Sequence, residues 1–165
     1  MNSITIVPAT QQHTPQITAI INDVILNTVA HYDYKTRTIE SQQIIITALQ
    51  EQHFPFVVAL LNNEVVGFGQ CAPFRSKDGY KNTVEHSIYI AQQHQKKGIG
   101  VALLRYLENW CRDFNIHTMV AVIDTTNTDS ILFHEKQGFT AMGTLKEVGF
   151  KKGLWLDTLL MQKWL

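Results

Sequence analysis

Between a strand-like run and an amphipathic helix stands the segment Gln95-Lys96-Lys97-Gly98-Ile99-Gly100, and no other stretch restricts the fold as much. Two closely spaced glycines free the backbone to turn several N–H groups toward one point. The helix that starts there adds the positive end of its dipole, and Lys96 and Lys97 add full charges. Such a loop suits a diphosphate. It is not a Walker loop, because no Gly-Lys-Ser/Thr occurs. The dinucleotide fingerprint fails as well, since Leu103 stands where its third glycine would fall.

A loop of this kind needs a scaffold, and 165 residues suffice for one domain, 1–165, with a sizeable core. An apolar share of 45% against 17% charged residues describes an ordinary globule rather than a disordered chain. Formal charge is zero, so nothing global draws the protein to nucleic acid or to an anionic membrane, and neither partner is expected. There is no apolar run of spanning length. Met1-Asn2-Ser3-Ile4 lacks the basic-then-apolar start of a leader, which makes the cytoplasm the expected location. Cys71 and Cys111 read as two reduced thiols in or near the core. The seven histidines include no i,i+4 pair, so no metal is expected.

Ile4 to Val7 reads as a strand. Ile17, Ile20, Ile21, Val24 and Ile25 mark one buried helical face, with Pro15 in the first turn. Ser41 to Gln52 suggests a weaker helix, although Ile44-Ile45-Ile46 would equally suit a strand. From Phe56 the period shortens: Phe56 to Leu61, an Asn62-Asn63 turn and Val65 to Ala72 predict a β-hairpin. Thr83 to Ile90 is a further strand. The helix from Gly98 places Ile99, Leu103, Leu107, Trp110 and Phe114 on one stripe. A strand over Thr118 to Ile123, a helix from Asp129 to Gln137 stopped by Gly138, and strands over Phe139 to Leu145 and Leu154 to Trp164 complete the chain. This order predicts an α/β sandwich with a mixed sheet.

The loop pattern (Gln/Arg)-x-x-Gly-x-(Gly/Ala) resembles the pyrophosphate loop of the GNAT N-acetyltransferases, whose donor is acetyl-CoA. The resemblance continues through Asn127 to Phe139, which is similar to the family's second signature, a helix beside the pantetheine arm that ends in Gly-Phe. It implies the GNAT fold, with a mixed, mostly antiparallel central sheet flanked by helices. It also implies cofactor contacts from Gln95, Lys96, Lys97, Gly98, Ile99, Gly100, Asn127 and Ser130, and from the backbone of Ile88, Tyr89 and Ile90. Asn127, Ser130 and His134 share one helical face by spacing.

Thr83-Val84-Glu85-His86-Ser87-Ile88-Tyr89-Ile90, Phe74-Arg75-Ser76 and the run from Val148 to Asp157 resemble the branch that acetylates phosphinothricin and methionine sulfoximine. That branch implies a small amino-acid acceptor, a homodimer, and an acceptor pocket that includes Phe74, Arg75, Ser76, Thr83, Val84 and Glu85. It also implies Glu85 as general base. Independently, transfer to an amine requires the amine to lose a proton, which a nearby carboxylate can accept. His134 can protonate the leaving sulfur, complete a relay with Glu85, or only orient the cofactor. A guanidinium such as that of Arg75 can grip an acceptor carboxylate through two hydrogen bonds. Two rival readings remain: an acetyltransferase for peptide N-termini or other amines, and a module that binds acetyl-CoA without catalysis.

Overall fold

The computed structural model describes residues 4–165. Its elements run β1 (Thr5–Pro8), α1 (Thr14–Asn27), α2 (Ile39–Glu51), β2 (Phe56–Leu61), β3 (Glu64–Pro73), β4 (Thr83–Ile90), α3 (Ile99–Asp113), β5 (Thr118–Asp124), α4 (Thr128–Lys136), β6 (Thr140–Lys151) and β7 (Leu154–Trp164). The strands form one sheet in the order β1-β2-β3-β4-β5-β7-β6. Every neighbouring pair is antiparallel except β4 with β5. The expected mixed, mostly antiparallel sheet flanked by helices is therefore present.

Strand alternation divides the core in two. Val57, Ala59, Val66 and Val84 face α3, where Ile99, Leu103, Leu104 and Leu107 close over them. Phe56, Val58 and Phe68 face the other way, under Ile17, Ile21 and Ile25 of α1 and Ile46 of α2. The three-isoleucine run is helical. Thr38 caps α2 by accepting the Ser41 amide at 3.1 Å, and Gln42 and Ile46 bury one face while Ile44 stays outside. Asn62 and Asn63 both take positive φ, 52° and 65°, which a two-residue hairpin turn with the twist of its strands requires.

Two stripes differ from their sequence reading. On α3 the buried face runs from Ile99 through Leu103 and Leu107 to Cys111, and this last i,i+4 step leaves Phe114 at the surface, stacked on Trp110 at 4.7 Å. Cys111 meets Cys71 of β3 in the core. The Cys111 thiol and burial hold the Cys71 thiol well above its ordinary value, and both side chains are buried packing groups. β6 extends to Lys151, beyond the Leu145 limit read from sequence. Most of this strand is exposed, so no alternation betrays it, and register breaks at Ala141/Gly143 and Leu145/Gly149 interrupt it.

What positions the site is the junction of β4 and β5. The two strands are in register at Thr83↔Thr118, Val84↔Met119 and Glu85↔Val120, and there the parallel ladder ends. Beyond it the strands part.

Candidate active site

A cleft of about 1070 Å³ occupies the fork. One wall is β4 from His86 to Ile90; the other is Ala121 to Asp124 of β5 with the first two turns of α4. At the far end lie Gln95, Lys96, Gly98 and Gly100. The local sequence explains this mouth. Lys96 and Gly98 both take left-handed φ, 60° and 80°, and an added Cβ on Gly98 would meet nothing within 4 Å. Backbone freedom, not space, is why glycine belongs at position 98. At Gly100 the reason is packing, since a Cβ would touch Phe133 at 3.3 Å and Ile90 at 3.4 Å. The opening amides of α3 have no partner within the helix and face this mouth.

The remaining loop residues divide. Gln95 ties back to the Ile90 carbonyl, Nε2 to O 3.4 Å. Lys96 is held by Asp129 of α4, N to O 3.1 Å, across the cleft mouth. Lys97 turns away, donating to the Gln93 carbonyl at 2.8 Å, and lies outside the cleft lining. The Ile99 side chain is sealed in the core under α3, which leaves only its backbone for a ligand. Asn127 and Ser130 line the cleft. The Asn127 Oδ1 caps α4 by accepting the Ser130 amide at 3.2 Å, so its amide nitrogen is the group left for the cleft.

On the acceptor side, Arg75 lies over the Phe74 ring at 4.4 Å and donates to the Phe74 carbonyl at 3.0 Å. The Phe74 amide donates to the Thr83 carbonyl at 3.3 Å, which fixes this arm against the start of β4. Burial raises the Glu85 carboxyl above the ordinary range and the Arg75 charge offsets part of that rise. A raised carboxylate is a stronger base, and it titrates nearer neutrality. Ser76 is exposed on the same arm. The Val84 side chain is fully buried toward α3, so it forms core rather than acceptor pocket.

The direct relay between Glu85 and His134 is not built. Alternation sends Glu85, Ser87 and Tyr89 toward α1 and α2, whereas Val84, His86, Ile88 and Ile90 face α3 and α4. His134, buried on α4, instead meets His86: their Nε2 atoms are 3.0 Å apart. His86 also bonds the Val120 carbonyl through Nδ1 at 3.2 Å, taking up the acceptor where the β4–β5 ladder stops. His134 Nδ1 lies 2.7 Å from the Ser130 carbonyl. Phe139 packs against both rings.

His86 was not among the residues singled out by sequence. The available signal was its inward position among Val84, Ile88 and Ile90, where an imidazole needs a polar partner. Asp124 was missed too. It is buried at the end of β5, lines the cleft, and accepts from the Tyr32 hydroxyl at 3.0 Å and the Thr126 amide at 2.9 Å. These bonds hold the α1–α2 connection against the fork. Among the described residues, no three His, Cys, Asp or Glu side chains converge as metal ligands.

The sheet splits between β4 and β5, a glycine-rich helix start stands at the mouth of the split, and the match to an acetyltransferase family assigns the class of protein. The chain belongs to the acetyltransferase (GNAT) family, whose model matches residues 21–139. It is 38% identical over 146 residues to the L-methionine sulfoximine/L-methionine sulfone acetyltransferase of Salmonella typhimurium, covering 88% of this chain and 85% of that protein. Among solved structures, it superposes on the ribosomal-protein-alanine N-acetyltransferase of Brucella melitensis with TM-score 0.95. Their identity is 37%, over 98% of this chain and 99% of that one. The phosphinothricin acetyltransferase of Sinorhizobium meliloti in complex with acetyl-CoA gives TM-score 0.94 at 34% identity, over 98% and 88% of the two chains.

Proposed function

We propose that this chain transfers the acetyl group of acetyl-CoA to the α-amino group of a small amino acid such as methionine sulfoximine, methionine sulfone or phosphinothricin. The observation that carries the reading is Glu85: a carboxylate raised by burial, at the residue where β4 and β5 part, with Arg75 acting on it. The cofactor fits the residues present. The mouth offers unpaired amides and an open backbone at Gly98 for the diphosphate, and the cleft walls offer Ile88, Tyr89, Ile90, Asn127 and Ser130 for the arm. Bound acetyl-CoA supplies an activated thioester. Glu85 then removes the proton of the incoming amine, directly or through water, and Arg75 holds the acceptor carboxylate. The named acceptors of relatives that match most of this chain support the substrate class.

The protein acts as a cytoplasmic homodimer in this reading. Support for the dimer comes from the β6–β7 hairpin, where Leu145, Val148, Phe150, Leu154 and Trp155 are all exposed. A second reading, acetylation of a protein N-terminus, is favoured by the name of the Brucella neighbour. Release of free thiol from acetyl-CoA separates the two. Methionine sulfone is expected to drive release, and its carboxamide is expected to be a poor acceptor. Equal turnover of the carboxamide, or a preference for an alanine-initiated peptide, would replace the first reading by the second.

A further inference from the structure

Hydrogen-bond arithmetic at the fork gives more than the assigned roles. A carbonyl oxygen only accepts, so the contact of His86 Nδ1 with Val120 places a proton on that nitrogen; at His134 Nδ1 the Ser130 carbonyl at 2.7 Å is much closer than the Ser130 hydroxyl at 3.4 Å, which assigns a proton there as well. Both Nε2 atoms then face each other at 3.0 Å as bare lone pairs unless a third proton lies between them. Two neutral imidazoles carry only two protons. The geometry is satisfied in full by three protons on four ring nitrogens.

We propose that His86 and His134 form a single proton carrier with one shared Nε2–H–Nε2 proton, and that His86 is the positioning residue that lets His134 deliver this proton to the departing sulfur. Both rings line the cleft. As the acceptor nitrogen bonds to the acetyl carbon, the carbon–sulfur bond breaks and its electron pair stays on sulfur, where the shared proton goes. The surplus proton of the amine goes to Glu85 on the opposite face of β4. Both groups exchange with water between turnovers, so the reaction balances.

Burial works against charge on either ring, and against a second proton most of all, while the three hydrogen bonds reward a single shared one. Burial, then the charge of His134, hold His86 down to about 3, while the Val120 carbonyl pulls the other way. Burial lowers His134 as well, against the Ser130 carbonyl. A single shared charge escapes the mutual repulsion and has all three hydrogen bonds. Ionisable neighbours on the packed elements are mostly engaged elsewhere: Asp124 of β5 with Tyr32 and Thr126, Asp129 of α4 with Lys96, and Lys163 of β7 with Glu108 of α3. Glu135 and Lys136 of α4 are exposed, and Glu85 faces away.

The inference rests on the acetyl-transfer reading only for its last step, so the test has two arms. In ligand-free protein labelled with ¹⁵N-histidine, long-range ¹H–¹⁵N correlation is expected to show both Nδ1 atoms protonated. The two rings should move together in one titration rather than in two separate ones. His86→Gln should leave His134 titrating alone at a different pH, and His134→Gln provides the reciprocal variant if the first does not fold. Two rings that stay neutral across the whole folded range, or titrate independently, overturn the shared proton. In turnover, kcat is expected to fall on the alkaline side as the pair loses its proton. That limb should shift in His86→Gln, with the KM for acetyl-CoA unchanged. An unmoved limb overturns delivery to sulfur. Failure to acetylate any amine would count against the function and leave the spectroscopic arm standing.

Discussion

The cleft has two ends that obey different electrostatics. At the mouth, Lys96 and Asp129 are 79% and 72% exposed, and recognition depends on backbone amides and a left-handed glycine. At the fork, His86 and His134 are 5% and 7% exposed, and every polar atom of the pair is matched to a partner inside the protein. Water screens the first fully and reaches the second only through the cleft. A charge removed at the fork therefore costs far more than one removed at the mouth, although both sites line the same cavity.

The strongest challenge to that ranking is Glu85→Gln. Removing the base at the fork is expected to lower kcat/KM at neutral pH by about 10²–10⁴-fold. Affinity for acetyl-CoA, measured by calorimetry, should stay within twofold or so, because the mouth is untouched. In the wild type, a folded-state carboxyl above its ordinary value means that activity is already failing in mildly acid solution, where a carboxylate of ordinary pKa would still be ionised. Full turnover by the variant would move the base elsewhere and break the comparison at its stronger end.

The second effect is on stability. Unfolded histidines take protons below about 6.5, whereas His86 in the fold resists its own until about 3. The unfolded state binds more protons over that window, so stability falls as pH drops from 6.5, by at most about 1.4 kcal/mol per pH unit for this group. Melting temperature followed from pH 7 downward measures it. In His86→Gln the slope should flatten, and an unchanged slope would show that acid sensitivity arises outside the fork.

The third prediction returns to the mouth and uses its backbone. Gly98→Val forces a β-branched residue into left-handed φ, at a cost of about 1–2 kcal/mol, at a position where the added Cβ meets nothing within 4 Å. Affinity for acetyl-CoA is expected to weaken about tenfold while the Glu85-dependent pH profile keeps its shape. A changed profile would mean that mouth and fork are coupled.

The contrast also explains what could be read from sequence. The mouth is contiguous: residues 95–100 and the amphipathic helix after them form the motif locally, so the loop, its glycines and the helix start were legible. The fork is assembled at long range. His86 reaches Val120 across 34 positions and His134 across 48, and no local pattern encodes such a meeting. Glu85 was found through its resemblance, but its face was not, and that is why a relay with His134 stayed open among the roles read for that histidine. Strand parity was the missing step. Odd positions from 85 to 89 point one way and His86 points the other, which follows from the alternation alone. β6 was illegible for another reason: a strand exposed along most of its length has no periodicity to read.

The smallest effect concerns the ion pair at the mouth, where an asymmetry is expected. Lys96 and Asp129 lie 3.1 Å apart, but two largely exposed side chains gain little from each other, about 0.2–1 kcal/mol at most. Both line the cavity, so an arriving diphosphate meets one attractive and one repulsive charge. Lys96→Met is expected to weaken acetyl-CoA binding about two- to fivefold in low salt. Asp129→Asn should tighten it slightly, because it removes the repulsion and releases Lys96 for the ligand. At about 0.5 M salt, where the screening length falls to a few ångströms, both differences should shrink toward nothing. Titration of the two variants at low and high salt checks this. If Asp129→Asn weakened binding as much as Lys96→Met, the pair would be acting as a structural clamp on the cleft, and the mouth would share the rigidity of the fork.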